Sequence, residues 1–206
     1  MKNIPFVKNP GKQCGQCCAL MALEYYFPGR GFTIDQINGL IKRKPGKWTF
    51  PMQNAVALDE LGLKAVAYSS KDIPVGHAQT MEFFKEIFGD DYEELIPRID
   101  FSVHEHFAKI AKEKGLFRVR KHSIKDIREY IMQGSLVIPA VDANVLYGKT
   151  GPYAGHAVLI TEMDDSHVWI HDPDKGPDME YPVTLFEAAY RVPAIDDDIL
   201  VIYGKK

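Results

Sequence analysis

The chain has 206 residues, 46% apolar and 26% charged, with 25 Lys and Arg against 28 Asp and Glu for a formal net charge of −3. That length fits one domain over residues 1–206, and 11% aromatics without repeats exclude a disordered, collagen-like or low-complexity chain. No global basic field invites nucleic acid, no apolar stretch nears the ~20 residues of a membrane span, and Met1 to Phe6 lacks a secretory apolar core, so a soluble, cytoplasmic protein is expected, with neither nucleic acid nor membrane as partner.

Ala19, Leu20, Ala22, Leu23 and Tyr26 recur at helical spacing after Gln13, and Phe27-Pro28-Gly29 ends the pattern, which sets Cys14-Gly15 at the entrance of a helix of about three turns. Thr33 caps a second helix ending near Arg43, and Pro51 to Leu61 forms a third that stops at Gly62. Leu63 to Ser69 alternates as a strand. Ala78 to Lys114 reads as helices interrupted at Gly89 and Pro97, with Phe83, Phe84, Ile87 and Phe88 as core candidates. A short strand from Leu116 and a helix over Ser123 to Met132 follow. Leu136 to Val141, Gly155 to Glu162, His167 to His171 and Ile199 to Tyr203 read as strands, with a helix around Leu185 to Tyr190. Helices dominate residues 1–115 and strands residues 116–206, the segregation of an α+β domain whose helical part packs on an antiparallel sheet. Lys109 to Arg128 is rich in Lys and Arg and reads as a solvated surface on both sides of the short strand.

The three cysteines are crowded as Cys14, Cys17 and Cys18, with none elsewhere to form a disulfide framework. A thiol in the first turn of a helix meets the positive end of the macrodipole and unpaired N–H groups, which favour thiolate, the nucleophilic form. Cys14 holds that position, and Gly15 leaves room beside it for a substrate carbonyl. Cys17 and Cys18 fall inside the helix as small core residues. The Cys14-x-x-Cys17 spacing lacks the second pair of ligands zinc requires, and Asn9-Pro10-Gly11-Lys12 is a turn rather than the strand that precedes a redox pair. No metal or organic cofactor is expected.

A nucleophilic cysteine needs a base oriented by a third group. Gly155-His156 opens an apolar strand, Met163 to Ser166 is a turn, and His167 to Pro173 returns as the second strand of a hairpin. With a three-residue loop, Met163-Asp164-Asp165, partner numbers sum to 328 and His156 faces Asp172 on one side of the sheet. With the two-residue loop Asp164-Asp165, Asp172 falls on the other side, so the pairing requires the longer loop or a bulge of equal effect. His171 reads as a packing or solvent-facing neighbour, and His77, His122 and His167 as surface residues.

Gln13-Cys14-Gly15-Gln16-Cys17-Cys18-Ala19-Leu20-Met21, running on to Glu24-Tyr25-Tyr26, resembles the cysteine motif of the double-glycine leader peptidases that process bacteriocins, and of their stand-alone relatives. In that family a Cys-Gly pair opens the first helix, a Gly-His opens a strand, and a carboxylate before Pro follows about sixteen residues later, as Asp172-Pro173 follows His156 here. The resemblance implies a papain-like fold and a cysteine peptidase or amide hydrolase with Cys14, His156 and Asp172 as catalytic triad, acting on a peptide or amide through a thioester. It covers most of the chain, with residues 77–114 as an insertion.

The family's oxyanion-hole glutamine lies about six residues before the cysteine, where this chain has Lys8. Gln13 and Asn9 are the nearby amides that could replace it, at altered spacing. Val7-Lys8-Asn9 followed by Cys14-Gly15-Gln16-Cys17 also resembles papain itself, in which the second cysteine is the nucleophile, so Cys17 stands as the alternative. An acyl- or amide-transferase on the same triad and a catalytically silent peptide-binding domain are the rival functions, and the sequence leaves the oligomeric state open.

Overall fold

The computed structural model describes residues 3–192 and 197–206. Three helices open the chain: α1 (Cys14–Tyr26), α2 (Ile34–Leu40) and α3 (Pro51–Glu60). Each starts where local chemistry favours it. Thr33 and Gln36 form a reciprocal capping box at α2, and Pro51 takes the first position of α3 while the Gln53 side chain accepts from the Phe50 N–H. Gly15 through Leu23 are all buried in α1, so the helix is covered all round, with Gln16 the one polar side chain in that run and its amide donating to Thr49 Oγ1 at 3.0 Å.

Strand β1 (Leu63–Ser69) is followed by α4 (His77–Phe88), α5 (Tyr92–Leu95) and α6 (Phe101–Glu113), with short 3₁₀ turns at Gly89–Asp91 and Ile96–Arg98. The breaks fall at the expected Gly89 and Pro97. Then come β2 (Phe117–Val119), α7 (Ile124–Met132), β3 (Leu136–Asp142), α8 (Ala143–Leu146), β4 (Gly155–Ala157), β5 (Leu159–Met163), β6 (His167–Asp172), β7 (Gly176–Pro182), α9 (Val183–Tyr190) and β8 (Ile199–Lys205).

The strands lie in the order β2-β1-β8-β3-β5-β6-β7, with β4 also on β3. The sheet is antiparallel as expected except at one edge, where β1 and β2 run parallel, so it is mixed. A parallel pair cannot be joined by a tight turn, and α4 to α6 supply the long crossover. β1, from the helical half, pairs with β8 at the chain's end, so both halves share one sheet.

Residues alternate between two cores. Ala65, Ala67, Leu136, Ile138, Leu200 and Ile202 face α1, α3 and α6, while Val66, Tyr68, Val137, Val141, Ile199 and Val201 face α7 and α9. A third, smaller cluster joins α4 to Leu95 and Ile99. His122, expected at the surface, is buried against Tyr68 and Tyr130, with Nε2 3.1 Å from the Tyr130 hydroxyl. β7 was not legible in the sequence; it is an edge strand with much of its length exposed.

Pro139 shapes the site end of the sheet. β4 and β5 keep one register along β3, with Val137 opposite Ile160 and Val141 opposite His156. The ladder is interrupted at Val158, the residue opposite Pro139, because proline has no N–H to donate. The single strand expected over Gly155 to Glu162 is therefore two short ones.

Candidate active site

Cys14 is the first residue of α1, and no side chain caps that helix, so its leading N–H groups stay unclaimed by Gln13. The Ala157 N–H points at Cys14 Sγ, 3.4 Å away. This ties the helix start to β4 and to His156 beside it. His156 Nε2 lies 2.9 Å from Asp172 Oδ1, and both side chains are buried. With Nε2 donating to the carboxylate, Nδ1 is left for Cys14, to which the ring is hydrogen-bonded.

The expected hairpin register is not the observed one. Asp164 Oδ1 accepts from the N–H groups of Ser166 and His167, both at 2.7 Å, and this tightens the turn until Met163 pairs with Val168 and Glu162 with Trp169. Continued to the site, that register would leave Asp172 on the opposite face from His156. A bulge at Thr161 corrects it, because beyond it Ile160 pairs with Ile170 and Leu159 with His171. The even register returns Asp172 to the His156 face and puts Asp174 nearly opposite His156, with Oδ2 3.8 Å from Nδ1.

Asp172 is held from three more directions. The Tyr147 hydroxyl donates to Oδ2 at 2.6 Å, the Asp174 N–H donates to Oδ1 at 2.9 Å, and the Asn9 N–H fixes the adjacent Pro173 carbonyl at 2.9 Å. Burial pushes the Asp172 carboxyl upward, but His156 and the Tyr147 hydroxyl outweigh it and hold the group below the ordinary value. Burial likewise opposes both members of the Cys14–His156 pair. Their mutual hydrogen bond and charge prevail, leaving the thiol lowered and the imidazole raised to about 10. This combination favours thiolate and imidazolium together.

The remaining candidates sit elsewhere. Cys17 Sγ is in the core, 3.9 Å from the Lys8 carbonyl, and burial followed by the charge of Cys14 pushes its thiol up to about 12. Cys18 is buried with Sγ 3.5 Å from the Ala157 carbonyl. Gln13 is turned away, its Oε1 accepting from Asn38 Nδ2 at 2.7 Å, and it does not line the cavity beside Cys14. Asn9 does line that cavity, with Nδ2 2.6 Å from Asp174 Oδ1. His171 packs inside, its Nε2 on the Ile4 carbonyl at 2.8 Å.

Tyr147, Asp174 and Asn54 escaped the sequence reading. The Asp172-Pro173-Asp174 run was a usable signal for Asp174, whereas Tyr147 and Asn54 carry no local signature. Asn54 also corrects the role given to Gly15. A Cβ there would sit 2.9 Å from Asn54 Nδ2, so the space beside Cys14 belongs to that amide. Gly155 is similar, since a side chain on it would strike the Tyr153 hydroxyl at 2.8 Å.

Among the described residues no group of three or more His, Cys, Asp and Glu is arranged to hold a metal ion, and no helix is long and apolar enough to cross a membrane.

The sequence profile of the Peptidase_C39 like family matches residues 9–198, and the chain belongs to that family. A protein from Bacillus anthracis described as a C39-like peptidase superposes with a TM-score of 0.54 at 14% identity, over 98% of this chain and 95% of the other. A double glycine motif protease from an AMS/PCAT transporter, in complex with the leader peptide, gives 0.52 at 14% identity over 100% and 94%. The peptidase domain of Streptococcus ComA, a bi-functional ABC transporter involved in quorum sensing, gives 0.52 at 13% over 99% and 100%. The fold is thus the papain-like one of these structures. No curated protein sequence matches the chain.

Proposed function

We propose that this chain is a cysteine peptidase or amide hydrolase in which Cys14 is the nucleophile, His156 the acid–base and Asp172 the group that orients the imidazole. The observation that carries the reading is His156, buried and hydrogen-bonded on one side to Asp172 and on the other to Cys14, at the edge of a cavity open to a substrate. Family membership and the fold of peptidase neighbours support a peptidase-type activity.

The chemistry runs in two halves. Cys14 sulfur bonds to the amide carbon while the carbonyl electrons move onto oxygen. The oxyanion meets the Cys14 N–H at the positive end of α1 and the Asn9 amide, a kind of contact worth ~3 kcal/mol in the transition state. The tetrahedral intermediate collapses as the C–N bond breaks and His156 gives its proton to the amine. Water then attacks the thioester with His156 taking its proton, and the C–S bond breaks to release the acid and regenerate the thiolate.

Alkylation by iodoacetamide, followed by mass spectrometry of the intact protein and its peptides, tests the assignment. Rapid single labelling that survives Cys17→Ala and vanishes in Cys14→Ala supports it. Loss in Cys17→Ala instead moves the nucleophile to Cys17, and an ordinary thiol titration at Cys14 leaves only a peptide-binding domain.

A further inference from the structure

The cavity beside Cys14 extends farther than bond cleavage requires. It encloses about 490 Å³, within the range of pockets that bury most of a small ligand. Trp48, Phe50, Phe83, Phe84, Ile87 and Phe88 build its apolar wall. These rings support one another in mixed geometry: Trp48 lies 6.0 Å from Phe88 and 5.7 Å from Tyr153, both nearly perpendicular, while Phe84 stacks on Phe88 at 5.3 Å and tilts against Phe50 at 5.5 Å. Four of the six residues belong to α4, so the insertion between β1 and β2 lines the same space as the nucleophile.

Two polar atoms in this lining stand without a protein partner. Asn54 is 4% exposed and His104 2%, and neither Asn54 Oδ1 nor His104 Nδ1 is hydrogen-bonded among the described residues. Asn54 lies against Gly15, next to the nucleophile, and His104 packs edge-on to Phe50 and Phe84 at 4.7 and 5.0 Å. They place two polar side chains in an otherwise apolar lining, the composition that orients a ligand carrying one polar group.

We infer that this cavity is a side-chain pocket and that, granted the hydrolase reading above, the substrate is a peptide or acylated amide with a tyrosine-like side chain at the residue whose carbonyl Cys14 attacks. Three considerations select that occupant. The acyl group stays bound through the thioester while the amine departs, so a wall continuous with Cys14 serves the acyl side. A wall built from aromatic rings suits an aromatic ring, which can meet it edge-on or in offset stacking. Asn54 and His104 suit its hydroxyl. A glycine pair, the motif named for the leader-peptide protease, would fill none of this space.

Peptidyl chloromethyl ketones of equal length ending in Tyr, Phe, Leu or Gly-Gly test the inference, with labelling of Cys14 read by mass spectrometry. The tyrosyl compound is expected to label about 50-fold faster than the glycyl-glycyl one, the scale of burying one aromatic side chain. Ile87→Trp, which narrows the cavity, is expected to reduce that ratio about tenfold or more. A ratio within one preparation does not depend on how much of the variant is folded. Equal labelling by all four compounds, or an unchanged ratio in Ile87→Trp, overturns the pocket. Iodoacetamide needs no pocket and is run in parallel on the unmodified protein. Fast alkylation below pH 7 without aromatic preference overturns this inference alone, whereas an ordinary thiol titration overturns the hydrolase reading beneath it.

Discussion

Thr161 Oγ1 lies 3.2 Å from the Trp169 carbonyl across the β5–β6 hairpin, at the step where the register slips by one residue. The same hydroxyl is 3.2 Å from Asp178 Oδ1, so the extra residue is buried but paired. Deleting Thr161 removes the extra residue and joins the Glu162–Trp169 and Ile160–Ile170 pairs into one regular ladder, so Asp172 stays on the His156 face and the enhanced alkylation of Cys14 is expected to survive. Thr161→Val leaves the residue count intact and strips only the hydroxyl. It should cost about 1 kcal/mol in urea unfolding and keep the alkylation rate.

The pH dependence follows from the two opposed shifts. In the unfolded chain the imidazole titrates near 6.5 and the thiol near 9.0. His156, raised to about 10, contributes stability that is full below 6.5 and lost as pH climbs through about 10. Cys14, lowered, contributes stability that is full above 9.0 and lost as pH falls through its folded value. Between 6.5 and 9.0 folded and unfolded pairs each hold one proton, so the pair's contribution is flat there and declines on both sides. Tm measured from pH 5 to 11 should show this plateau in the unmodified protein and lose it in Cys14→Ala/His156→Gln. Iodoacetamide labelling should be fast and level through neutrality.

In the proposed triad Tyr147 would serve as a positioning residue. Its hydroxyl helps hold Asp172 ionised, so Tyr147→Phe lets the carboxyl rise and moves the acid edge of activity to higher pH. A hydrogen bond to a charged group is worth about 1.5–3 kcal/mol, and a loss of that order in stability is expected. Tyr147 does not line the cavity, so kcat should fall with KM nearly unchanged.

Asp100 anchors the insertion. It caps α6 through the Val103 N–H at 3.0 Å and pairs with Lys44 at 2.5 Å. Burial opposes ionisation, yet Lys44, Val103 and Ser102 hold the carboxyl at about 2. That stabilisation is complete above 3.8 and lost as pH falls through about 2. Asp100→Ala should cost about 1 kcal/mol at neutral pH, the scale of a lost helix cap. It should also flatten the acid side of the stability curve, as followed by circular dichroism.

Local signals carried most of the elements and all three residues of the proposed triad. The 3.6-residue period of α1, the capping pair Thr33 and Gln36, and the apolar run of β3 act over short stretches of chain. So does the Gly155-His156 to Asp172-Pro173 spacing. Features that depend on a distant partner stayed hidden. Pro139 breaks a strand that is not its own, and Asp164 tightens a turn whose register only Thr161 restores. Tyr147 reaches Asp172 from just past the end of a four-residue helix, and Asn54 meets Gly15 from another helix altogether. β7 escaped because Gly176-Pro177-Asp178 reads as turn until β6 offers it an edge.

The parallel pairing of β1 with β2 separates two kinds of information in the chain. Residues 70–116 leave the sheet and return to it at one edge, while Cys14, His156 and Asp172 lie on α1, β4 and β6. The wall from α4 can therefore change its shape without moving the reacting atoms. On the proposed reading, choice of substrate is a replaceable cassette on a fixed chemical engine, and a graft of this crossover into a relative should carry its preference along.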